Sequence, residues 1–330
     1  MVRNMRIEVW ADVVCPWMYI GKRRLERALA GLPDAESVEV VWRPYRIDPS
    51  APAVGEPLGA LLEDPSVDDA LRACAPALTP GENRDRVAEI AESEGLGPRW
   101  GAAWRVSSHD AHRLVLLAGR AGGSGLQDAV VEGVLRAHFV EGEDIGSAPV
   151  LDRIARGAGL PDGGRLLRAG EGGEEVRELV LRGRAAGVRT SPTLVANGRA
   201  LEGAQHPDAI REFLVAAAGH APRVLPEEVE RFRLAEALLD SGDPLGALTL
   251  LRPLLDGYAA DRGVRLLAAR AHYRSAQLNR ARRGLEALVE EAPDDAYARL
   301  LLGRTLQRQG EEESAAPHLR LAGVMVPSYA

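Results

Sequence analysis

The stretch Arg6-Ile7-Glu8-Val9-Trp10-Ala11-Asp12-Val13-Val14-Cys15-Pro16-Trp17-Met18 decides the fold. Apolar residues alternate through 6–12, the period of a half-buried strand. Tyr19 to Leu29 then has helix-forming composition, and Pro16 suits a first helical turn, where its missing N–H would have had no partner. A cysteine between a strand and a helix is the setting of a Cys-x-x-Cys redox site. Met18 stands at the second cysteine position, so one sulfur nucleophile remains.

At a helix N-terminus the amides and the macrodipole favour the thiolate of Cys15. A thioether has no proton to lose, so Met18 cannot resolve a mixed disulfide. An external thiol would have to do so, which predicts monothiol behaviour (disulfide isomerisation, thiol transfer or conjugation to an electrophile) over net dithiol oxidation. The competing reading is a small buried hydrophobe, the usual state of a lone cysteine. A second candidate segment is Thr190-Ser191-Pro192-Thr193. Its proline enters a strand and is a candidate cis peptide, with the backbone of Ser191 placed to pair with an extended substrate. An ordinary turn proline accounts for the same letters.

Around these segments the chain reads as alternating elements. Val38 to Ile47 is a second strand, ending at Asp48-Pro49-Ser50. Helical periodicity follows at Leu58–Leu62, Val67–Ala75, Arg84–Glu94, His109–Arg120, Gln127–Phe139, Pro149–Ala158 and Glu174–Ala186. Extended character returns at 193–202 around Asn197-Gly198, a hairpin signal. Pro207 to Ala218 closes the region as a helix. The predicted organisation is one domain over 1–219 with an all-helical insertion at about 58–186, a linker at 220–226, and helical repeats over 227–330.

The repeats have a period of 34 residues. Gly242, Ala276 and Gly310 keep it, as do Ala247, Ala281 and Ala315, then Leu251, Leu285 and Leu319. The units fall at about 228–261, 262–295 and 296–329 and resemble tetratricopeptide repeats, whose small residues let paired helices approach closely. Pro253, inside a second helix, is expected to kink it.

Several stretches resemble the DsbA family of thioredoxin-fold oxidoreductases, in its cytoplasmic FrnE-like branch. They are Glu8 to Trp17, Tyr19 to Arg24, Trp42-Arg43-Pro44-Tyr45, Asp110-Ala111-His112-Arg113-Leu114, Phe139 to Ile145 and Gly203-Ala204-Gln205. The resemblance covers about 5–218. It implies an α/β thioredoxin fold with a large helical insertion, followed here by an all-α repeat domain. It also implies a thiol–disulfide oxidoreductase with Cys15 as nucleophile, Pro192 as the cis-proline, and Pro16, Trp17, Met18 and Ser191 as motif and substrate-contact residues. Met18 departs from the pattern and puts disulfide oxidation in doubt; Ser191 stands where valine is more usual. Relatives of this fold include glutathione-dependent isomerases and transferases, so a thiol-dependent isomerase or transferase is an alternative, and a redox-inactive binding scaffold is another. His112 either stabilises the thiolate and shuttles a proton or is a core histidine behind a helix-capping Asp110.

Composition sets limits. The chain has 330 residues and a formal charge of −7, which disfavours nonspecific nucleic-acid binding. Two cysteines, Cys15 and Cys74, make neither a disulfide framework nor a zinc site; Cys74 reads as structural or incidental, with a distant resolving thiol as the alternative that demanding disulfide geometry disfavours. No apolar run is long enough to span a bilayer, and Met1 to Met5 lacks a signal-peptide core. A cytoplasmic, reducing location is expected, and the single lysine, Lys22, among many arginines suggests a GC-rich bacterial genome. The expectation is no bound cofactor and a low-molecular-weight thiol as candidate co-substrate. In the repeats, Arg270 and Arg274 recur as Arg304 and Arg308. Four guanidinium groups on the first helices would suit an acidic peptide or a carboxylate partner, unless they form only a solvated arginine face.

Overall fold

The computed structural model of the chain describes residues 5–32, 38–61, 77–221 and 225–330. The expected helix at Val67–Ala75, Cys74 and part of the linker lie outside the described residues. The chain divides into two compact units, Met1–Gly183 with Val188–Arg223, and Val224–Ala330 with Arg184–Gly187.

In the first unit, β1 (Met5–Ala11) leads through Cys15 into α1 (Pro16–Ala30), and β2 (Val38–Pro44) returns parallel to β1. Pro16 sits in the first turn of α1, and Cys15 is its N-cap with extended backbone (φ −86°, ψ 119°). Much later, β5 (Thr193–Ala196) pairs antiparallel with β1, and β6 (Arg199–Glu202) completes a hairpin through Asn197 (φ 47°) and Gly198 (φ 76°). Two successive positive φ values define the tight turn that Asn-Gly favours. The sheet order is β2-β1-β5-β6, and α8 (Pro207–Ala218) closes the unit. This is the expected thioredoxin-type sheet, with the cysteine at the end of a central strand.

Between β2 and β5 the chain forms α2 (Leu58–Leu61), α3 (Pro80–Ser93), α4 (His109–Phe139), α5 (Ala148–Ala158), α6 (Gly163–Arg168) and α7 (Gly173–Ala185). The two helices expected at 109–120 and 127–139 are both present and run on from one another as α4, divided by a kink where Gly122 and Gly123 leave helical geometry. The insertion is not wholly helical: β3 (Glu56–Pro57) and β4 (Trp104–Arg105) form a two-residue antiparallel ladder. The insertion shares one core with the sheet, where Ile7, Val9 and Ile20 pack in the same cluster as Leu114, Val130, Val134 and Leu151. Strand β2 is an edge, and α4 blocks it. Gln127 accepts from the Trp42 amide (2.9 Å) and donates to the Trp42 carbonyl (3.1 Å), standing in for a neighbouring strand.

Among the described residues the second unit has six α-helices in three pairs, α9 (Glu227–Asp240) with α10 (Pro244–Gly257), α11 (Arg262–Arg274) with α12 (Leu278–Glu291), and α13 (Ala296–Arg308) with α14 (Glu312–Met325), followed by a 3-10 turn at Pro327–Tyr329. The 34-residue register has a physical basis. Ala247, Ala281 and Ala315 are fully buried at the helix-pair contacts, and Gly242, Ala276 and Gly310 all turn between paired helices with positive φ (90°, 59° and 82°). Pro253 and Pro317 both lie inside second helices.

Candidate active site

Cys15 and the loop before β5 meet at the end of β1. The Cys15 thiol donates to the Ser191 carbonyl (3.4 Å), and the Asp12 amide donates to the Ser191 hydroxyl (2.9 Å). The Ser191–Pro192 peptide is cis. Gly21, one turn into α1, makes this approach possible, since a Cβ there would come within 2.9 Å of the Pro192 ring. Trp17 and Pro16 are partly exposed beside the cysteine, whereas the Met18 side chain points into the core. The thioether thus occupies a packing position and presents no reactive surface.

The thiol is not activated in this state. Burial pushes Cys15 up to about 11; hydrogen bonding by Ser191 opposes this, the nearby Asp12 charge adds to it, and the backbone amides of Met18 and Trp17 pull it back down. The sequence led us to expect a favoured thiolate. The helix-terminal amides are in place, but loss of solvent around a sulfur that is only 5% exposed outweighs them.

Asp12, to which no role was assigned from the sequence, organises the site. It is fully buried, accepts from the Ile47 amide (2.7 Å), and lies 3.2 Å from His112 Nε2. The same Nε2 lies 3.0 Å from the Tyr45 carbonyl. A carbonyl only accepts, so Nε2 carries a proton and donates to both oxygens. His112 therefore fixes Asp12 and the end of β2, and that nitrogen is not free to take a proton from Cys15. This is the core-histidine reading, with one correction: the N-cap of α4 is Ser108, not Asp110, which pairs instead with Arg113 (2.9 Å). Arg113 also donates to the Glu171 and Leu167 carbonyls (both 2.8 Å), tying α4 to the α6–α7 region. A further buried histidine, His138, is pushed down to about 4 by burial, against the Asp12 and Asp144 charges, and its Nδ1 has no hydrogen-bond partner among the described residues.

Beside the site, the single lysine is nearly buried and meets three carboxylates: Glu26, Asp128 (3.1 Å) and Glu132 (3.2 Å). Burial pulls Lys22 down, but those charges outweigh it and hold it above its ordinary range. Trp42 Nε1 also donates to Asp128 (3.0 Å), so this cluster clamps α1 and β2 against the insertion.

In the repeats, three of the four arginines are engaged internally. Arg270 reaches Glu236 (3.5 Å) and Asp240 (3.4 Å). Arg274 donates to the Leu239 carbonyl (2.8 Å), and Arg308 makes the same contact one repeat later with the Tyr273 carbonyl (2.9 Å). They link successive first helices. Arg304 is exposed and has no hydrogen bond or ion pair among the described residues.

Among the described residues no His, Cys, Asp and Glu group could hold a metal ion, and no helix is long and apolar enough to cross a membrane. The fold and site define a thioredoxin-fold protein with a helical insertion and a single thiol at the redox position. The chain belongs to the DSBA-like thioredoxin domain family, whose model matches residues 6–215, and it carries C-terminal tetratricopeptide repeats, matched at 238–305. Among solved structures it is similar to a probable DsbA oxidoreductase from Streptomyces coelicolor, with 26% identity and a TM-score of 0.56, covering 67% of this chain and 93% of that one. It is also similar to the cytosolic disulfide reductase DsbM from Pseudomonas aeruginosa, with 22% identity and a TM-score of 0.42, covering 64% of this chain and 97% of that one. A curated relative, the uncharacterized protein YwbO of Bacillus subtilis, is 35% identical over 63 residues, which span 19% of this chain and 28% of that protein.

Proposed function

We propose that the protein is a monothiol member of its family, exchanging disulfides through Cys15 in a reducing compartment, with the repeats holding a protein partner. The observation that carries this is the placement of Cys15 Sγ at the N-cap of α1, against the Ser191 carbonyl, with a buried thioether at the second position. Sγ attacks one sulfur of a substrate disulfide. The Cys15–sulfur bond forms as the substrate S–S bond breaks, and the departing sulfur leaves as a thiol with the proton Cys15 gives up. Nothing in the Cys-Pro-Trp-Met motif reverses the step, so a low-molecular-weight thiol restores Cys15 and carries the other sulfur away as a new disulfide. The Trp17 and Met18 amides favour the charge that Sγ carries once its proton is lost, before attack passes that charge to the leaving sulfur.

The buried, protonated thiol favours a second reading, a redox-inactive scaffold serving the repeats. One experiment separates the two. The protein is incubated with glutathione disulfide at several pH values, and the adducts are located by peptide mass. The monothiol reading expects one mixed disulfide on Cys15 that persists until free thiol is added. Absence of a Cys15 adduct under native conditions, with adduct formation only after unfolding, selects the scaffold.

A further inference from the structure

The partner-binding role proposed for the repeats, on which this inference rests, acquires a definite site at the third repeat. Each preceding repeat has a helix seated on its outer face: α11 lies against α10, and α13 lies against α12. Under α13, Leu285 and Val289 of α12 are buried. One period later Leu319 is only half-buried and Gly323 replaces the valine, while Val324 remains 79% exposed. The turn Pro327–Tyr329 covers part of this face, with Ala330 against Gly323 and Tyr329 and Ala330 on the cavity wall; what remains opens into a cavity of about 900 Å³, whose apolar lining also includes Tyr273, Leu300, Leu319 and Val324 and whose charges are Arg304, Arg308 and Arg320.

The charge pattern is specific to this repeat. Arg270 pairs with Glu236 and Asp240, which lie 34 and 30 residues before it. The same steps back from Arg304 lead to Arg270 and Arg274, so the corresponding positions hold cations where the previous repeat has carboxylates. Arg320 likewise stands where the second repeat has Glu286. Neither Arg304 nor Arg320 has a hydrogen bond or ion pair among the described residues, and no Asp or Glu lines the cavity.

We propose that this face binds an acidic amphipathic helix of a partner protein. The helical form follows from what the same face receives in the two preceding repeats, the apolar stripe from Leu300, Leu319 and Val324, and the acidity from Arg304 and Arg320. The probe is a fluorescent peptide of about four helical turns that keeps the apolar spacing of Ala298, Leu301, Leu302 and Leu306 in α13, with glutamates elsewhere. A lysine counterpart serves as control. Titrated against the full chain, the glutamate peptide is expected to bind, the lysine peptide not. Binding should weaken with salt and fall about tenfold or more in R304E/R320E, as bidentate guanidinium contacts are lost. Val324→Asp, with an unchanged circular dichroism spectrum, should weaken it as well. Equal binding of both peptides, or undiminished binding in R304E/R320E, overturns the site. Self-association of the full chain abolished by R304E/R320E overturns it too, because the occupant is then a second copy. Peptide binding that survives R304E/R320E but is lost in R270E removes this site while keeping the repeats as a binding module. Binding of neither peptide overturns both. Cys15→Ser should leave all these titrations unchanged, so failure of the thiol chemistry is read separately.

Discussion

At Cys15 the effects on the thiol oppose one another, and the balance can be altered one residue at a time. Desolvation is the largest, and the Asp12 carboxylate adds to it. Asp12→Asn removes the smaller contribution. The rate of alkylation at Cys15, followed by peptide mass at fixed pH, is expected to rise a few-fold, with the titration midpoint still above 9 because burial is unchanged. The amide cannot accept from both Ile47 and His112 as the carboxylate does, so the variant should lose about 2 kcal/mol of stability. An unchanged alkylation rate would mean that the Asp12 charge does not reach the sulfur. The wild type carries its own pH signature. Burial pushes the thiol from its ordinary 9.0 up to about 11 on folding. Stability from Cys15 is therefore complete below pH 9 and is lost as pH rises through about 11. Urea denaturation of wild type against Cys15→Ala should show that difference shrinking across the window. Cys15, Ser191 and Pro192 were legible as a site because their letters and the strand order bring them together. Asp12 was not, because an aspartate at a strand end reads as exposed, and its partner His112 lies 100 residues away in an insertion whose docking no local pattern reveals.

Among the elements, two positions show glycine chemistry working in opposite directions. Gly123 breaks α4 with φ 72° and ψ −163°, a conformation essentially closed to residues with a Cβ. Gly123→Ala should cost about 1–3 kcal/mol, measurable by denaturant midpoint. Ala276 holds φ 59° at the turn where the sister repeats use Gly242 and Gly310. Ala276→Gly should stabilise the repeats by about 0.5–1 kcal/mol, since relief of the left-handed strain exceeds the entropy cost of glycine; a lower melting temperature would contradict this. The repeat spacing was legible because each unit reuses the same small and large positions against its neighbour. The α6 helix was not, because Gly163 and Gly164 open it and lower its helical character; the shared core holds it in place instead. The β3–β4 ladder is two residues long, too short to carry an alternating pattern.

For the whole molecule, the decisive fact is that each unit owns its core. Among the described residues the cluster built on Ile7, Val9, Leu114, Val134 and Leu214 draws on nothing beyond Ala218, while Ala281, Leu285, Leu302 and Ala315 belong to a cluster confined to the repeats. Cooperative unfolding follows a core, so the full chain is expected to show two calorimetric transitions. Lys22→Met tests the first. It leaves Glu26, Asp128 and Glu132 without their shared cation, but these carboxylates are about a third to a half exposed and regain water, which keeps the cost to about 1–3 kcal/mol. That should lower one transition by roughly 2–10 °C and leave the other in place. Leu285→Ala tests the second. It empties a fully buried position between α12 and α13 and should cost about 2–5 kcal/mol in the repeats alone. Because repeat stability is summed over neighbouring interfaces, the loss should broaden the repeat transition as well as shift it. A single transition displaced equally by both substitutions would show that the two cores unfold as one, and the repeats would then be part of the thioredoxin unit's stability as well as its proposed partner-binding surface.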